Sequence, residues 1–333
     1  MRRLRQSFAA LALFLGLAAP LWAECAGRNL LDSLPPGELA GLRAATEAQP
    51  FARGNLWHAT RGNEDITILG TFHLDDPRHA AIVAALAPAL AKARTLLVEA
   101  GPEEEAALKD LMAREPQRML ITSGPTLPEQ LSAADWQRLS VALKARGIPP
   151  FMAAKMKPVF LAAVLAIPAC NFSAAAADNG LDKRVIAAAL GQGIPVRGLE
   201  PFDTVFTVFD RLGISEQTTM LTQMLDGDGS SDDMAKTLTE SYFAGDARLF
   251  WEFSRRSALA QPGMTPAVVE REYALVENVL IAERNQSWIG VITAAAAEGP
   301  VVAAFGALHL SGDQGVLNLL QREGYRITAI AAE

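Results

Sequence analysis

The stretch Asp65–Leu74, DITILGTFHL, decides how the rest of the chain is read. Its apolar, β-branched residues run into Gly70, the pattern of a strand buried in a sheet. His73 stands just past that glycine. The same grammar returns at Pro300–Leu310, PVVAAFGALHL, where Gly306 and His309 close another apolar run. A glycine at a strand end admits a sharp turn or a close backbone approach. Each histidine is therefore expected at the rim of a sheet, past the strand's carboxyl end, where open α/β folds bind ligands. Imidazole is both a metal ligand and an acid/base group near neutral pH. One Gly-x-x-His is a weak signal. Two of the chain's four histidines at the same place in the same motif make a considerably stronger one.

Outward from these ends, Asn55–Thr60 reads as a first strand, joined to 65–70 as a hairpin through Arg61-Gly62-Asn63. Asp75-Asp76-Pro77 opens a helix over about 78–92, with Ile82, Val83, Leu86 and Leu90 on its apolar face. Thr95–Val98 is a short buried strand ending at Glu99. A strand–helix–strand unit of this kind is a parallel crossover, so Glu99 is expected on the same rim as His73. Later, Leu181–Leu190 reads as a helix and Ile194–Leu199 as a strand with Glu200 at its end. Residues 103–170 and 202–290 read as helical. Val269–Ile292 is one long helix or two, and the apolar Met156–Ile167 is a core helix, too short to cross a membrane. After Val301–Phe305, Ser311-Gly312-Asp313 opens a helix to Glu323, and Tyr325–Ile330 is a final strand. The fold class is α/β. One domain over residues 24–333 has a central mixed, largely parallel sheet built from both ends of the chain, with helical insertions forming a lid.

Half of the residues are hydrophobic, enough for a large core. Arg2, Arg3 and Arg5 precede an apolar run from Phe8 to Ala19, and a small residue stands at Ala23, the layout of a secretory signal peptide over residues 1–23. The expected location is the periplasm or outside the cell, with no stable membrane anchor. Removing Arg2, Arg3 and Arg5 from 30 basic residues leaves 27 against 37 acidic ones, a net charge of about −10. That balance argues against a general nucleic-acid binder, which needs a basic patch. Cys25 and Cys170 form an even pair, which in an exported protein suggests one disulfide; two unpaired thiols is the alternative.

With these residues in hand, the chain resembles the TraB/GumN family, which includes the Tiki-type membrane-anchored metalloproteases. The resemblance rests on Leu56-Trp57, Gly70-Thr71-Phe72-His73, Asp76-Pro77, Val98-Glu99 and Gly180-Leu181-Asp182. It continues through Gly198-Leu199-Glu200, Glu283-Arg284-Asn285, Gly306-Ala307-Leu308-His309, Gly312, Gly315 and Gly324-Tyr325. It implies a metal-dependent, peptidase-like hydrolase whose site falls on His73, Glu99 and His309. No membrane anchor of the Tiki kind is expected.

The expected chemistry follows. His73 and His309 bind a divalent metal (manganese, cobalt or zinc), and Glu99 completes the set or acts as general base. Glu200 is a third-ligand candidate. Arg284 binds a substrate carboxylate or stabilises developing charge, and Asn285 orients its neighbours. The substrate is a peptide or a small molecule. Other readings stay open at this point: structural histidines with a Glu99–Arg284 ion pair, a non-catalytic metal- or haem-binding protein, or a metal-free esterase-like hydrolase with a histidine base. Trp57 is expected in the core, Glu283 in solvent, and His58 and His79 at the surface or a strand edge.

Overall fold

The computed structural model describes residues 27–172, 179–227, 231–261 and 263–330. The expected leader over residues 1–23 lies outside them, as does Cys25, so the expected Cys25–Cys170 disulfide is also outside the description.

Six strands form one sheet: β1 (Leu56–Arg61), β2 (Glu64–Thr71), β3 (Thr95–Val98), β4 (Val196–Gly198), β5 (Val301–Gly306) and β6 (Arg326–Ala329). Their order is β4-β3-β5-β2-β1-β6. The four strands β4, β3, β5 and β2 run parallel, while β1 is antiparallel to both β2 and β6. The sheet is thus mixed and largely parallel, and both chain ends build it. β5, from late in the sequence, lies in the gap between β2 and β3.

The centre of the sheet falls where the sequence is most continuously apolar. TLLV in β3 is buried throughout, and so is VVAAF in β5. That is the composition expected of parallel strands covered on both faces. Successive side chains alternate between the faces. Ile66, Ile68, Leu97, Ala303 and Phe305 join one core with Trp288, Ile292, Leu317 and Leu320. The helices Glu283–Glu298 and Val316–Arg322 supply those partners. Leu69, Leu96, Val98, Val302 and Ala304 join the opposite core with Leu86, Leu90, Val185 and Ala189. The helices His79–Leu90 and Leu181–Gly191 cover that face. Burial of each such Leu, Ile or Phe contributes about 1.5–3 kcal/mol. The helical insertions carry a further core around Leu127, Leu143, Leu161, Leu221 and Leu225. Among the described residues no helix is long and apolar enough to cross a membrane.

Several local expectations change in the tertiary structure. The helix expected from Ser311 starts at Val316. Gly312 has φ +93°, which no helix can use, and Gly315 N–H donates to Gly312 O to close a tight loop first. The span 269–292 is two α-helices, Pro266–Val276 and Glu283–Glu298, joined by a π-helical turn at Glu277–Ala282. His79 is not at the surface. It is fully buried, packed between Phe72 and Phe243, because the helix Ser231–Phe243 lies over the start of its own helix. His58 is half-buried on β1, 2.9 Å from Asp65, and Trp57 is in the core.

Candidate functional site

Each of the four parallel strands ends in one of the expected site residues. β2 leads to His73, β3 to Glu99, β4 to Glu200 and β5 to His309. The register pairs Thr71 with Gly306, Val98 with Ala304, and Val98 with Gly198, so the four ends open on one rim. Gly306 marks its centre. A Cβ there would lie 3.2 Å from Glu99 Oε1, 3.6 Å from His309 Cδ2 and 3.7 Å from His73 Nε2. The two imidazoles and the carboxylate therefore converge.

Each imidazole is held by its Nδ1. His73 Nδ1 is 2.8 Å from Asp182 Oδ2, and Thr71 Oγ1 donates to the other Asp182 oxygen. Asp182 reaches His73 because the loop before the helix Leu181–Gly191 lies against the backbone of His73. Leu181 N–H donates to Phe72 O over 2.9 Å, and a Cβ on Gly180 would sit 2.2 Å from His73 O. Only glycine permits that approach.

His309 Nδ1 is 2.6 Å from Asn285 Oδ1. Asn285 Nδ2 donates to the carbonyls of His309 (3.2 Å) and Gln314 (2.7 Å). With its amide protons committed, Asn285 Oδ1 can only accept, so His309 carries its proton on Nδ1 and presents a lone pair at Nε2.

Arg284 fills the space between the acids. Its Nη2 donates to Glu99 Oε2 (2.6 Å) and Glu200 Oε1 (2.9 Å), and its Nε donates to Glu200 Oε2 (2.8 Å). Nη1 donates to Leu280 O (3.2 Å) and reaches His309 Nε2 at 3.3 Å. Trp288, one helical turn on, lies under the guanidinium at 5.0 Å and donates its indole N–H to Glu200 Oε2 (3.0 Å). Glu99 Oε1 accepts the N–H of Gly306 over 2.7 Å. Both oxygens of Glu200 are thereby occupied, and Arg284 has no donor left over for a substrate carboxylate. Glu283 instead pairs with Arg211 and accepts from Asn278.

The electrostatics follow from these contacts. The Asp182 carboxylate raises His73 to about 9, against the desolvation it suffers. Its ring is 69 % exposed, so the partner rather than burial sets the direction. Burial pushes His309 the other way, down to about 4, with the charges of Arg284 and His73 adding to it. Burial alone would raise Glu99, but His309, Arg284, His73 and the Gly306 N–H outweigh it and hold the carboxyl at about 2.

The donor chemistry suits a divalent metal in part. Two imidazoles have their Nδ1 atoms fixed by a carboxylate and an amide, the outer-shell arrangement typical of metal-ligating histidine. His73 Nε2 and the ring of His309 both lie beside Gly306, and His309 Nε2 meets Arg284 Nη1 at 3.3 Å. Among the described residues, however, no three His, Cys, Asp or Glu side chains already form a cage. Glu99 is turned to Arg284 and Gly306.

The chain also matches known proteins over most of its length. A profile of the TraB/PrgY/gumN family covers residues 55–329. The chain belongs to the TraB/PrgY/gumN family. It is similar to the uncharacterised protein YbaP of Escherichia coli K12, with 26 % identity over 282 residues, 80 % of this chain and 97 % of the relative. The same figures hold for YbaP of Shigella flexneri. No solved structure matches.

The family match spans every strand and all the residues of the rim. Asp182, Trp288 and Thr71 belong to the site although no role was assigned to them from the sequence. For Asp182 the signal was present in the Gly180-Leu181-Asp182 motif, and for Trp288 in its spacing of four from Arg284. Tyr242 had no local signal. Its hydroxyl donates to Gly70 O (2.8 Å) and its ring stacks on Phe72 at 4.9 Å, bracing the turn that carries His73.

Proposed function

We propose that this protein is an exported divalent-metal-dependent hydrolase, peptidase-like in its substrates. His73 and His309 are its metal ligands, and Glu99 is the third ligand or the general base. The single observation carrying this reading is the pair of imidazoles beside Gly306, each fixed through Nδ1; on metal binding His73 would give up its Nε2 proton and His309 its contact with Arg284. A bound divalent ion supplies a water of lowered pKa and polarises the scissile carbonyl. Manganese, cobalt and zinc all accept this donor set.

The chain's own groups do the rest. Asp182 and Asn285 hold the two rings through Nδ1, so that Nε2 is the atom each offers to a ligand. Glu99, ionised at neutral pH, accepts the proton of an attacking water at Oε2 once Arg284 yields that oxygen. The guanidinium of Arg284 then lies beside the reacting carbonyl and stabilises its developing negative charge. Glu200 and Trp288 hold Arg284 in position and keep its charge balanced.

The test is elemental analysis of protein purified without chelator or nickel, beside a His73→Ala/His309→Ala double variant, followed by peptide hydrolysis. About one metal per chain in the wild type only, with turnover that disappears in Glu99→Gln, is the expected outcome. No metal after incubation with manganese, cobalt and zinc would sink the proposal. A second reading is favoured by the His309–Asn285 pair: a buried neutral imidazole whose Nε2 lone pair is released once Arg284 turns away is also a general base without any metal. Turnover that survives exhaustive chelation would select it.

A further inference from the structure

An open cleft of about 250 Å³ adjoins the rim, and Glu200 and Arg284 form its inner wall. Thr204, Thr207 and Val208 of the helix Thr204–Asp210 line it, as does Val279 of the π-helical turn Glu277–Ala282. π-helical turns recur at functional sites. The volume is small for a whole ligand, since clefts that take one are about 300–1,000 Å³. That is room for one substrate side chain.

The polar atoms lining the cleft show what kind of side chain fits. Thr204 Oγ1 donates to Pro201 O (2.8 Å), Thr207 Oγ1 to Asp203 O (3.4 Å), and Ser287 Oγ to Arg284 O (2.7 Å). All three hydroxyls spend their only proton on backbone carbonyls, so they offer the cleft acceptor lone pairs alone. The donors of Arg284 are spent on Glu99, Glu200, Leu280 and His309. Arg211 faces the cleft too, but its charge is matched by Glu283.

Asp203 is different. It stands at the start of its helix without capping it, and among the described residues no donor or cation pairs with its carboxylate. The lining thus holds three acids against two bases, with the unmatched charge on Asp203. Val208 and Val279 supply apolar wall between the polar groups.

An acceptor-rich cleft with apolar walls and one unmatched carboxylate fits an amphipathic side chain with a cationic, multi-donor tip. We infer that this cleft is the specificity subsite of the enzyme and that it takes a lysine-like side chain, with Asp203 binding the ammonium. The inference rests on the proposed peptide-hydrolase reading and names the substrate class for it.

Binding tests it without requiring turnover. The probes are fluorescein-labelled hexapeptides of Gly, Ser and Ala with one lysine, norleucine or glutamate, placed at each position in turn, read by fluorescence anisotropy on the full chain. Wild type should bind the best lysine peptide at least tenfold tighter than its norleucine match, the effect of a charge-assisted hydrogen bond. Asp203→Asn should bring the two within about twofold while norleucine binding stays unchanged. Thr207→Val, on an exposed face of the helix, should reduce the preference partially and serves as a second variant should Asp203→Asn fold poorly. No lysine preference in wild type, no binding of any peptide, or a preference intact in Asp203→Asn would each overturn the subsite. Hydrolysis of the same peptides is scored separately. Lysine-selective binding without cleavage would keep the subsite and discard the hydrolase.

Discussion

Two turns with one sequence grammar, Gly70–His73 and Gly306–His309, end in opposite electrostatic states. His73 is largely exposed and bonded to a carboxylate, which holds its proton to about 9. His309 is buried, bonded to a neutral amide and beside a guanidinium, which drives its proton off above about 4. The motif puts an imidazole at a strand end. The element packed against that end decides whether the ring is cationic or neutral. Environments that push two like groups apart are how sites assign acid and base roles.

Removing the cation between the two halves should have the largest effect. Arg284→Met leaves Glu99 and Glu200 facing each other with no counter-charge, at a cost of about 3 kcal/mol in urea unfolding. Adding Glu99→Gln should restore part of it. If the single variant is as stable as wild type, the ion trio does not hold the rim together.

Asn285→Ala comes next. It strips the partner of the His309 ring and of two backbone carbonyls, at about 2–3 kcal/mol. An unchanged unfolding midpoint would mean that water replaces the amide without loss.

The pH dependence of stability separates the two histidines by sign. His73 has a folded pKa above the unfolded value of 6.5, so its contribution is full below 6.5 and lost as pH rises through about 9. For His309 the folded value is lower than 6.5, so the unfolded chain takes up its proton first and stability falls as pH drops from 6.5 towards about 4. Chelator-treated protein should therefore be most stable near pH 6.5. His73→Gln should flatten the alkaline arm alone and His309→Gln the acid arm alone. A matching response in both variants would show that the rings share one environment.

The smallest stability change belongs to Asp182→Asn, since the His73 ring is already solvated. We expect under about 1 kcal/mol. The same substitution should weaken metal binding about 10–100-fold, the usual cost of removing an outer-shell carboxylate. Isothermal titration with manganese or zinc reads that change, and full affinity in the variant would detach Asp182 from the site.

Much of this geometry was legible locally. β3 falls on Thr95–Val98 as read, and β2 and β5 extend the expected runs by a residue or two, because a doubly covered parallel strand must be apolar at nearly every position. Glu99 and His73 share a rim because a single helix joins their strands and so makes them parallel, with both carboxyl ends on one edge. For His79 the converse holds. Its neighbours Arg78 and Ala80 give no hint of the helix Ser231–Phe243 that buries it. The late start of the helix at Val316 depended on the positive φ of Gly312, whose N–H is tied to Pro50 O, far away in the chain.

The sequence by itself determined the strand ends: apolar runs closed by glycine, then histidine or glutamate. These follow from short-range periodicity and from what a backbone can do without a Cβ. Only the tertiary structure decided what each end meets. β5 enters between β2 and β3 and brings His309 to Glu99. Helices from distant insertions deliver Asp182 to His73, and Arg284 and Asn285 to the centre. Those meetings set the charges, because the energy of an ionised group depends on its distance to other charges and to water, and neither is written along the chain.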